Sequence, residues 1–167
     1  LAADHWRRKE AMTLRWQTAD ETEQKQMLAD SAKAWKAEPA SETAALSHGD
    51  LLVTSGRRDE ALRTWRVALE AQPQSRLIEE RLLDLLETLR QEDALLAFLA
   101  ERVKQQPERD DLKLRRARAL LQLGRVDEGS RALEELLAKT DPAQRVMTLL
   151  QTARWLRSRN LFTEATL

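Results

Sequence analysis

Between Glu42 and Ser55 the apolar positions Leu46, Leu52 and Val53, with the small Gly49 among them, fall on one side of a helix, the spacing of a buried stripe. Gly56 marks the end of that helix. Arg57-Arg58-Asp59-Glu60-Ala61 opens a second one, with Asp59 placed to accept bonds from its free amides. Along it Ala61, Leu62, Trp65, Ala68 and Leu69 continue the apolar face as far as Pro73. The pattern predicts a helical hairpin over 41–74. In it Gly49 and Ala61 let two backbones approach, and Trp65 supplies bulk for a neighbour to cover.

The same order returns twice. Over 75–108, Leu82, Leu85 and Leu86 form a first helix, Leu89 takes the place of the turn glycine, and Glu92-Asp93-Ala94 and Phe98 lead to Pro107. Over 109–142, Leu114, Ala117, Leu120 and Leu121 precede Gly124-Arg125-Val126-Asp127-Glu128-Gly129, then Leu133, Leu136 and Pro142. Beyond Pro142, Met147, Leu150, Ala153 and Leu156 predict another first helix, with Asn160 at its turn and Glu164-Ala165 opening the next, a partial repeat over 143–167. Upstream, Trp6, Met12, Leu14 and Trp16 read as one helix, and Asp20 with Glu23 as a capping box for another ending near Trp35, a divergent hairpin over 1–40. Four prolines, Pro39, Pro73, Pro107 and Pro142, punctuate these units at intervals of 34, 34 and 35 residues. Proline removes a backbone donor and blocks a continuing helix, so equal spacing marks chain reversals between equal helical units.

The order small residue, aliphatic, turn glycine, acidic pair with alanine, bulky aromatic, alanine and proline resembles the tetratricopeptide repeat. The resemblance covers Glu42 to Leu167 and extends to the first 40 residues through proline phase. It implies an all-α, right-handed superhelical solenoid of antiparallel helix hairpins, one continuous array. From a start at Leu1-Ala2-Ala3-Asp4-His5 and a stop where another helix would begin, the expectation is a piece of a longer chain. The pentatricopeptide RNA-binding array has nearly the same period, but its helix signature is missing.

Composition narrows the chemistry. The 167 residues are 42% hydrophobic and 34% charged, a mixture suited to amphipathic helices. Lys plus Arg and Asp plus Glu each number 28, so no global field draws the protein to nucleic acid or anionic lipid. Arg115, Arg116, Arg118, Arg125 and Arg131 spread around two helices among acids, and nucleic-acid binding is not expected. The absence of cysteine excludes disulfides, thiol catalysis and thiolate metal sites, and His5 and His48 lack a second histidine at helical spacing, so no metal is expected. Adjacent acids such as Glu79-Glu80 diverge by about 100° on a helix and make no dyad. With no glycine-rich phosphate loop and no nucleophile elbow, the chain is read as non-enzymatic and without a cofactor. No apolar run reaches the roughly 18 residues of a membrane span. Trp35, Trp65 and Trp155 lie within patterned helices and are read as packing residues rather than stacking platforms.

In the family this chain resembles, first helices line a concave groove that receives a peptide or a partner's helix. Carried over, that groove consists of Asp50, Val53, Glu79, Leu83, Glu87, Leu114, Arg118, Leu121, Arg154 and Arg157, passing from acidic to arginine-bearing. Members that grip chaperone C-termini use Lys and Asn where this chain has Leu46 and Asp50, so the resemblance implies an internal peptide segment or a folded protein as partner. The Leu-Gly-Arg-Val-Asp-Glu style looks bacterial. It resembles repeat arrays of exopolysaccharide-export scaffolds, whose periplasmic repeats recruit enzymes to an outer-membrane pore. The implied role is a periplasmic protein-binding scaffold, with a cytoplasmic adaptor or a spacer between domains as alternatives.

Overall fold

The computed structural model describes the backbone of residues 2–158 and the side chains of residues 7–158. The side chains of His5 and Trp6, and the expected turn and helix start at Asn160, Glu164 and Ala165, lie outside the described residues. Among those described, the fold is all-α: α1 (Ala2–Thr18), α2 (Glu21–Ala37), α3 (Glu42–Thr54), α4 (Arg58–Ala71), α5 (Arg76–Thr88), α6 (Glu92–Gln105), α7 (Asp110–Gln122), α8 (Val126–Ala138) and α9 (Pro142–Ser158), with no strand.

The helices keep a strict metre. α3, α5 and α7 start at 42, 76 and 110, and α4, α6 and α8 at 58, 92 and 126, each 34 residues apart. The turns repeat as well. Gly56 (φ 81°), Arg90 (φ 52°) and Gly124 (φ 72°) occupy the left-handed position that ends α3, α5 and α7. Thus Arg90, not Leu89, stands where the glycines do; Leu89 is a helix-terminal residue with right-handed backbone angles. The other turn recurs at Glu38, Gln72 and Gln106, whose φ values are −135°, −133° and −132°.

Local chemistry accounts for the helix starts. Ser41 and Ser75, one period apart, accept from the amides of Ala44 and Ile78. Asp20 caps α2 through the Glu23 amide at 2.8 Å, while Glu23 turns to Arg15 instead of completing a capping box. Asp59 does not cap α4. Arg57 holds the cap position, and Asp59 sits in the first turn, where its charge complements the helix dipole. Pro39, Pro73 and Pro107 lie in turns, whereas Pro142 is the first residue of α9, behind Asp141, whose Oδ1 accepts from the amides of Ala143 and Gln144. The longer last interval is therefore a change of role.

Between Leu89 and Arg90 the chain divides into two compact units. In the first, α3 packs against α1, α2, α4 and α5. Its core contains Leu46, Leu51, Leu52, Leu62, Trp65, Ile78 and Leu82, with Ala45, Ala61 and Ala68 fully buried among them. Each fully buried large side chain contributes about 1.5–3 kcal/mol of apolar transfer. Successive hairpins are also tied at their turns: Gln72 Nε2 donates to the Ala40 carbonyl at 2.5 Å, and Ser75 Oγ donates to the Glu42 carboxylate. In the second unit α7 packs against α6 and α8, burying Leu99, Leu112, Ala117, Leu120 and Leu136.

Candidate partner-binding surface

The ten residues expected in the groove separate into three groups. Asp50, Glu79 and Leu83 are buried, at 2%, 1% and 1% exposure, and present nothing to a partner. Glu79 and Leu83 lie on the packed side of α5 with Ile78, Leu82 and Leu86. With α3 and α5 starting 34 residues apart, the positions that match Leu46 and Asp50 are Glu80 and Asp84, both exposed; the expected pair lies one residue early and is turned about 100° into the core. The matched serine caps Ser41 and Ser75 carry that register in the sequence.

Asp50 is in register but buried because it is shared between helices. Its carboxylate lies 3.2 Å from Arg81 Nε on α5 and 3.8 Å from Lys9 Nζ on α1. A buried carboxylate needs such partners, and here they come from the flanking first helices. The pairing escapes a reading of single helices, since Arg81 lies 31 residues further along the chain (81 − 50).

Val53, Leu114, Arg118 and Leu121 are half-buried. Leu121 packs on α8: a Cβ added to Gly129 would fall 2.7 Å from its Cγ, so the expected groove leucine fills the close approach of α7 and α8. Arg118 is also engaged within its unit. Its Nη2 donates to Thr152 Oγ1 on α9 at 3.3 Å, and its guanidinium stands 5.8 Å from the centre of the Trp155 ring. Burial pushes its pKa down from the ordinary value.

The remaining three, Glu87, Arg154 and Arg157, are exposed. Glu80, Asp84 and Glu87 follow one another at i, i+4 and i+7 on α5, an acidic ridge of which the sequence reading found only the last member. On α9, Arg154 and Arg157 share the outer face with Val146, Met147 and Leu150, which are 55%, 54% and 48% exposed. The inner face of the same helix carries buried Thr152 and half-buried Trp155, held by Arg118.

His48 is the remaining group with unusual chemistry. Ser31 Oγ lies 2.9 Å from the Leu28 carbonyl and is hydrogen-bonded to His48 Nδ1, also at 2.9 Å. Desolvation, followed by the nearby Arg57 cation, holds the imidazole below its ordinary pKa, with Glu60 opposing and Lys36 adding to the shift. The bond joins α2 to α3 and is a packing contact.

Among the described residues no group of three or more His, Asp or Glu side chains converges to hold a metal ion, and no helix is long and apolar enough to cross a membrane. Comparison of the chain with protein families, curated proteins and solved structures finds no match.

Proposed function

We propose that the chain is a non-enzymatic scaffold of the tetratricopeptide type, a superhelical solenoid whose first helices bind a protein or peptide partner. One observation carries the docking surface. Val146, Met147 and Leu150 stand about half exposed along one side of α9, an apolar stripe that continues into Arg154 and Arg157. The 34-residue metre of α3 to α8 supports the repeat reading. The periplasmic setting, with recruitment of components to an envelope assembly such as exopolysaccharide export, rests on the resemblance of the Leu123-Gly124-Arg125-Val126-Asp127-Glu128 style alone.

The test is affinity capture with the 167-residue chain, followed by titration of each purified retained protein against the chain and against Met147→Gln/Leu150→Gln. Both positions are exposed, so the variant keeps its thermal midpoint to within a few degrees. A partner whose affinity falls by about tenfold or more supports the surface. Unchanged affinity for every retained protein refutes it.

A further inference from the structure

The outer face of α9 has a charge bias as well as apolar area. At about 100° per residue, Val146, Met147, Leu150, Arg154 and Arg157 gather on the side away from Thr152 and Trp155, which meet Arg118. Although the whole chain balances 28 basic against 28 acidic residues, α9 holds Arg145, Arg154 and Arg157 and no Asp or Glu. An apolar stripe bordered by guanidinium groups is matched by a helix whose own stripe is bordered by carboxylates, which arginine receives in bidentate pairs.

Resting on the docking reading above, we infer that the partner segment seated on α9 is an acidic amphipathic helix of another protein. Its aliphatic side chains cover Val146, Met147 and Leu150, and its carboxylates meet Arg154 and Arg157. A lipid surface fits less well. Trp155, the side chain of α9 suited to a bilayer interface, lies on the packed side under Arg118.

The experiment uses fluorescence anisotropy of the 167-residue chain with a labelled, helix-stapled peptide of about 15 residues. Leucines occupy its i, i+3, i+4 and i+7 positions, flanked by glutamates, and a sister peptide carries lysines in their place. The glutamate peptide binds about tenfold tighter or more, Arg154→Gln/Arg157→Gln brings the two peptides to within about twofold, and Met147→Gln/Leu150→Gln removes both. Circular dichroism establishes that each variant keeps its helix content. If the two peptides bind equally well and Met147→Gln/Leu150→Gln still removes them, the docking surface stands and the acidic partner is wrong. If neither binds, or if the face is instead occupied by phosphatidylserine vesicles or by a second copy in a dimer dependent on Met147 and Leu150, the inference is overturned.

Discussion

The indole of Trp65 lies across the backbone of Gly49, so closely that a Cβ added to Gly49 would stand 2.1 Å from Trp65 Nε1. This contact sets the spacing of α3 and α4. It also leaves the buried Nε1 without a hydrogen-bond partner, so Trp65 serves through its shape rather than its polar handle. Gly49→Ala is expected to cost about 1–3 kcal/mol by overpacking and Trp65→Ala about 3–5 kcal/mol by leaving a cavity. The double variant costs less than the sum, because without the indole the added methyl has room. Guanidinium denaturation of the three variants checks the coupling, and simple additivity would contradict it.

Arg90 holds φ at 52° where the matching turns use Gly56 and Gly124. A side chain in the left-handed region costs about 1 kcal/mol, so Arg90→Gly stabilises the chain by roughly that amount and Gly124→Ala destabilises it similarly. Thermal melts read both signs.

Asp50 is expected to tolerate no neutral replacement without loss. Asp50→Ala leaves Arg81 and Lys9 facing an apolar gap and lowers stability by about 2 kcal/mol, less than for a fully enclosed pair because both cations are partly exposed. Combining it with Arg81→Met recovers part of the loss. A double-mutant cycle in urea with no coupling would refute the shared carboxylate.

Arg118→Glu discriminates a packing role from a purely recognitional one. With its guanidinium over Trp155 and on Thr152, the change lowers stability by about 1–2 kcal/mol, whereas Arg154→Glu on the outer face leaves it nearly unchanged. Equal melting temperatures for the two variants would remove Arg118 from the α7–α9 contact.

His48 gives stability a pH dependence of defined sign. Its folded pKa lies below 6.5, so the unfolded chain takes up the proton first. The contribution is fully present above about pH 6.5 and is lost as pH falls through the folded value. Denaturation midpoints between about pH 5 and 7.5 fall towards acid, and His48→Gln flattens that portion of the curve. An unaltered slope in the variant would assign the effect elsewhere.

Much of the helical outline is legible in the sequence, because each helix carries its own stripe and its own stop. The reading Glu42 to Ser55 for α3 meets the observed Glu42–Thr54 with Ser55 as its cap. The surface is less legible. Assigning the turn to Leu89 shifts the face of α5 by one residue, enough to exchange exposed Glu80 and Asp84 for buried Glu79 and Leu83. Burial of Asp50 and Arg118 depends on side chains from other helices, Arg81 and Trp155, which no periodicity within one helix reveals. On α9, Arg154 and Arg157 are exposed, and Val146 joins their side only once the packed side is known.

The repeated backbone angles at Glu38, Gln72 and Gln106 give these three joints the same local backbone. A chain cut at one joint and spliced at another 34 residues away would keep the same backbone angles at the splice. Past α8 that repetition ends. Pro142 has moved from turn to helix start, and a graft made there by proline position would emerge with its faces rotated. The first three prolines each follow a joint of the same backbone angles, and the fourth opens a helix instead.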